Sequence, residues 1–190
     1  MTTTAQVYAM LGNESLWEIA LRSHQILKQS NIPHSICGGV AVCLHGYQRN
    51  TTDLDLIINP IDAAAVKDLF LGESFVWDEE LKEFRSSSGI PVQFLMAGER
   101  AGKGAEVKIP EPVGESNVEE RDGLSVVRLS RLIEMKLACG QSNLRRTHKD
   151  FADVVELIAV RKLDGSFARF LHPTLRQTYR ELVHHATAGE

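Results

Sequence analysis

The stretch "GGVAVCLHGYQRNTTDLDLII", residues 38–58, holds a glycine pair, a short apolar run, an arginine, two threonines and two aspartates separated by one leucine. Side chains at i and i+2 of a strand share a face, so Asp53 and Asp55 project together while Leu54, Leu56 and Ile58 face the other way. Two like charges side by side repel unless something positive lies between them. A hard divalent cation such as Mg²⁺ suits that place, because it takes oxygen ligands from one or two carboxylates and from substrate phosphates. The plainer alternative is an exposed strand edge carrying two solvated aspartates. Gly38 and Gly39 stand between a strand and a short helix, where the missing Cβ atoms suit close approach of a phosphate. A glycine pair is also an ordinary turn.

Outward from this stretch, helical spacing of Leu16, Ile19, Ala20, Ile26 and Leu27 predicts a helix over 14–29, with Asn13 as N-cap and Asn31-Ile32-Pro33 as a stop. "HSIC" (34–37) reads as a strand, 38–46 as a brief helix, and "TDLDLIIN" (52–59) as an interior strand closed by Asn59-Pro60. A helix over 61–71 precedes Gly72. The segments 74–79, 82–88 and 91–97 read as short strands. Residues 98–123, rich in Gly, Pro and Glu, read as a long surface loop with one short strand around Val107. After "LSVVRL" (124–129) the pattern turns helical over 129–138, 145–161 and 173–184. Strands first and helices last give an α+β fold, a small mixed β-sheet core flanked by helices with a helical C-terminal part.

The chain has 190 residues, 43% of them apolar, enough for one filled core and short for two full domains. Charged residues make up 24% and the net charge is −4, so no global basic surface calls for nucleic acid or an anionic membrane. Residues 53–122 carry 16 acids against 7 bases; residues 141–190 carry 8 bases, 6 acids and four histidines. The C-terminal part is therefore the one polyanion-facing candidate. Three cysteines without CxxC spacing, no secretory leader and no apolar run of about 20 residues predict a cytoplasmic, non-membrane protein.

A second block lies in "EMKLACGQSNLRRTHKDFADVVELI" (134–158). Lys136 falls inside the apolar stripe of Leu129, Leu132, Ile133, Leu137 and Gly140, where a lysine is costly without a partner. Alternatively its stem packs and its ammonium reaches water. Arg146 and Asp150 stand one turn apart and can pair across it. "AGKGAE" lacks the frame of a phosphate-binding P-loop. His184-His185 have no matching ligand spacing, and His45 reads as a satisfied, buried histidine.

Both blocks resemble the nucleotidyltransferase superfamily related to DNA polymerase β, and within it the small bacterial AbiEii-type proteins. The resemblance implies one nucleotidyltransferase-like domain over 1–190, with an α/β core at 1–128 and a helical part at 129–190. It implies Mg²⁺ on Asp53 and Asp55, with these two, Lys136 and Asp150 as catalytic residues. Substrate contacts fall to Gly38, Gly39, Arg49, Thr52 and Arg146, Lys136 reaches the triphosphate, and Asp150 either assists the chemistry or holds Arg146 and Lys136. The function implied is transfer of a nucleoside monophosphate from a nucleoside triphosphate to an RNA, protein or small-molecule acceptor. One departure stands out. Gln93 occupies the position where many members carry a third acid, and an amide is no base. The alternative is therefore a catalytically degenerate relative, a nucleotide-binding, regulatory or toxin–antitoxin partner.

Overall fold

The computed structural model describes residues 6, 8, 9 and 14–187. Asn13 lies outside them. A seven-stranded mixed sheet runs in the order β3-β4-β5-β2-β1-β7-β6. Its strands are β1 His34–Cys37, β2 Leu54–Ile58, β3 Val76–Asp78, β4 Glu83–Arg85, β5 Pro91–Met96, β6 Val118–Arg121 and β7 Leu124–Val127. The pairings β2 with β5 and β1 with β7 are parallel, and the other four are antiparallel. The helices are α1 Glu14–Gln29, α2 Gly38–Leu44, α3 Ala63–Gly72, α4 Leu129–Ser142, α5 Leu144–Arg161 and α6 Arg176–Thr187, with 3₁₀ turns at Pro60–Asp62, Gly165–Phe170 and Pro173–Leu175. This is the α+β architecture that the pattern predicts.

Alternation along β2 divides the sheet into two faces. Leu54, Leu56 and Ile58 are buried, and Ile58 shares an apolar pocket with Val66 of α3, Phe84, Phe94 and Met96. Phe70 of α3 completes that side, its ring packed against those of Phe84 and Phe94 at 5.4 and 5.0 Å. Such aromatic pairs add roughly 0.5–1.5 kcal/mol beyond the area they bury. The opposite face carries Asp55, Gln93 and Leu95 and lies beneath α4.

Three details differ from the sequence reading. Residues 118–121, expected within a long loop, form β6, paired to β7 across a turn at Asp122 (φ 50°) and Gly123 (φ 78°). The acid-rich "VEER" hid a half-exposed edge strand. Around Val107 there is no strand but a bridge between Arg100 and Lys108. Finally, α4 runs four residues past Ala138, and Asn143 caps α5 by accepting the backbone N–H of Arg145. No helix among the described residues is long and apolar enough to cross a membrane.

Candidate active site

The backbone brings the glycine pair and the aspartates together directly. Cys37 is the register partner of Asp55 across β1 and β2, so the turn into α2 passes over the Asp55 carboxylate. Gly38 adopts φ 62°, and a methyl group on it would overlap the carboxylate of Asp55; one on Gly39 would overlap the side chain of Thr51. Both positions demand glycine for space, and Gly38 for conformation as well. Thr51 in turn donates its hydroxyl to Asp53 Oδ1 at 2.9 Å, which fixes the first aspartate. Thr52 is exposed on the same segment.

Asp55 is pushed up to about 6, first by burial and next by the charge of Asp53, with Arg146, Lys136 and Lys149 pulling the other way. Burial and a neighbouring carboxylate both resist the ionisation of an Asp, the second because like charges repel. Asp55 lines a cleft of about 230 Å³ together with Gly38, Gln93, Lys136, Arg146 and Asp150. The two motif blocks, about a hundred residues apart in sequence, thus meet in one cavity.

Lys136 resolves the choice that the sequence leaves open. Its side chain is 6% exposed, and its ammonium lies 2.6 Å from Asp153 Oδ2 and 3.2 Å from Asp150 Oδ1. The inward lysine has two partners rather than a path to water. Asp153 is held by the guanidinium of Arg49, Nε to Oδ1 at 2.6 Å and Nη2 to Oδ2 at 2.9 Å. Such bidentate pairs are among the stronger hydrogen bonds. Arg146 donates to Asp150 Oδ2 at 3.1 Å while its side chain stays half exposed. Arg49, expected to contact substrate, therefore sits on Asp153, outside the residues that line the cleft. Among the described residues, no group of three or more His, Cys, Asp and Glu is placed to hold a metal by itself.

Several cleft residues carry no local sequence signal. Glu99 and Arg100 arrive from the segment after β5, and Leu95, Ile109, Leu132 and Met135 supply an apolar wall. Gln93 is the register partner of Asp55. Its amide donates to Glu83 Oε2 at 2.8 Å, and Arg85 donates to the other oxygen of Glu83 at 2.6 Å. His45 is buried, as its sequence neighbours suggest, with Nε2 2.8 Å from the Val127 carbonyl.

No protein-family model matches the sequence, and no curated protein matches it. Among solved structures, the fold is similar to that of the antibiotic-resistance factor ANT(2'')-Ia in solution, with TM-score 0.57, 14% identity, and coverage of 90% of this chain and 97% of that one. The crystal structure of ANT(2'')-Ia in complex with adenylyl-2''-tobramycin gives TM-score 0.57 at 15% identity, covering 88% of this chain and 96% of that one. At such identity the likeness is one of fold.

Proposed function

We propose that the chain transfers a nucleoside monophosphate from a nucleoside triphosphate to an acceptor in a Mg²⁺-dependent reaction. The observation that supports this most is the meeting of Gly38, Asp55, Lys136 and Arg146 in one cleft. It combines room for a phosphate, anionic oxygens for a cation and two cations for the remaining phosphate charge. The similar fold of ANT(2'')-Ia, a protein solved with an adenylylated tobramycin, agrees with this reading.

The donor set fits a hard cation. Asp53 and Asp55 offer carboxylate oxygens and Gln93 an amide oxygen; Asp55 is raised first by burial and then by the charge of Asp53, and a cation beside them would offset that second effect. Mg²⁺ is commonly held by one or two carboxylates with phosphates and water in its other positions, and Asp53 and Asp55 would supply such a pair. When bound, Mg²⁺ would neutralise charge developing on the phosphates and help to align them. The chain's own residues do the rest. Gly38 brings backbone to the cleft wall directly beside the Asp55 carboxylate, and Gly39 behind it makes room for Thr51, which holds Asp53. An ammonium has three N–H donors, so Lys136, which donates to Asp150, is ion-paired with Asp153 and lines the cleft, keeps a donor for a phosphate. Arg146, anchored by Asp150, reaches the same space with its unused N–H groups. Both Asp150 oxygens are engaged by cations, which favours the holding role over that of a base. The acceptor oxygen attacks the α-phosphorus and loses its proton to solvent, the bond to the β-phosphate bridging oxygen breaks, and pyrophosphate leaves. Positioning and electrostatics supply most of the rate under this account.

The AbiEii-type kinship belongs to the same proposal and rests on Lys136 and Asp150. Gln93 favours a second reading, a protein that binds nucleotide without turning it over. Calorimetric titration of a nucleoside triphosphate with and without Mg²⁺ tests the binding that both share. Affinity should need the metal and be lost in Asp55→Asn; equal affinity in that variant would remove the metal assignment.

A further inference from the structure

Gln93 occupies one level of a row that crosses the sheet. The register of β4 against β5, Phe84 opposite Val92 and Arg85 opposite Pro91, places Glu83 beside Gln93, and Gln93 is paired with Asp55 on its other side. Register partners point to the same face, so Glu83, Gln93 and Asp55 stand side by side. Gln93 and Asp55 line the cleft, whereas Glu83 lies behind it and is 5% exposed. A carboxylate buried behind a site needs a reason, and here its two oxygens are taken by Gln93 Nε2 and by Arg85.

The consequence lies in the amide. An ionised carboxylate only accepts hydrogen bonds, so the group facing Glu83 must be the Gln93 NH₂. That leaves Gln93 Oε1, on the other arm of the planar amide, as the atom free to face the cleft. Without Glu83 the amide could turn and present its N–H donors, in place of Oε1, to the cleft. We propose that Glu83 is a positioning residue that fixes Gln93 as an oxygen donor, so that Gln93 serves as a third, neutral oxygen ligand beside Asp53 and Asp55 for a divalent cation. This rests on the function proposed above. It also gives the amide in place of an acid a defined task.

Mn²⁺ titration of the full chain without nucleotide, followed by electron paramagnetic resonance, separates the two levels of the account. Wild type should bind Mn²⁺, and Gln93→Leu should bind it more weakly. Glu83→Gln keeps the shape but lets the Gln93 amide turn, so affinity should fall by about 10-fold, the lower end of what outer ligand partners contribute. Because both changes act on one oxygen, Glu83→Gln combined with Gln93→Leu should be no weaker than Gln93→Leu alone. Thermal melts of the same samples establish that each is folded. Should Glu83→Gln fail to fold, Gln93→Asn, one methylene too short to span from Glu83 to the cleft, must show the same loss. Wild type without Mn²⁺ affinity would overturn the metal site and this inference together. Wild-type affinity in Gln93→Leu, or a loss there with none in Glu83→Gln, would overturn the inference alone.

Discussion

Lys136 shows how a single residue joins stability to the site. Its ammonium lies between Asp150 and Asp153, which are 1% and 2% exposed. Buried ion pairs seldom stabilise a fold more than packed apolar groups would, but removing one partner strands the other in a low dielectric. Lys136→Met fills the same volume and leaves Asp150 with Arg146 and Asp153 with Arg49. We expect a loss of about 3 kcal/mol, the lower end for a broken buried pair, read as a lower urea midpoint. An unchanged midpoint would mean that the two arginines alone satisfy the aspartates. Lys136 was legible in the sequence because a charge in an apolar stripe requires a partner. Asp153 was less so, since its tie to Arg49 spans 104 positions and no local pattern encodes it.

At the scale of elements, β1, α1 and β7 share a feature that bears on pH. His34 of β1 is held down to about 4, first by burial, with Lys28 and His24 also opposing its charge. His45, just after α2, is likewise held at about 4 by burial foremost, with Arg121 and Arg161 lowering it and Glu119 raising it. Both fold as neutral rings, His34 Nε2 lying 2.8 Å from His24 Nδ1. For a base depressed in the folded state, the unfolded chain binds the extra proton. The stability that these rings contribute is thus whole above the unfolded value of 6.5 and is lost as pH falls toward 4. Each group removes up to about 1.4 kcal/mol per pH unit in that window. Asp55, raised to about 6, acts in the opposite sense, gaining as it protonates. Two histidines outweigh one aspartate, so the melting temperature should drop between pH 7 and pH 5, and His45→Asn should flatten that drop. Identical slopes in wild type and variant would contradict the assignment. The elements themselves were largely readable, because α1, β2 and α5 carry clear periodicity. β6 was not, since its burial is partial and its residues are charged. Its pairing with β7 overrides local preference.

Across the whole molecule, the sheet order brings together what the sequence separates. β1 beside β2 puts Gly38 over Asp55, β2 beside β5 sets Gln93 next to Asp55, and α4 carries Lys136 onto the same face. The glycine pair and the D-x-D aspartates announced a site because their spacing is local. Glu83, Glu99 and Arg100 gave no such notice, since only the pairing of strands and the path of the segment after β5 bring them near. The similarity of fold to ANT(2'')-Ia covers 90% of the chain. Under the proposed function, this arrangement moves a nucleotide from donor to acceptor. The most direct measurement follows pyrophosphate release and transfer of label when the purified protein is mixed with Mg²⁺, each α-phosphate-labelled nucleoside triphosphate and separate RNA, protein and small-molecule fractions. We expect Mg²⁺-dependent pyrophosphate with label moving into one acceptor fraction, and neither in Asp55→Asn; binding without pyrophosphate for every nucleotide and fraction, or wild-type release by Asp55→Asn, would rule nucleotidyl transfer by this site out.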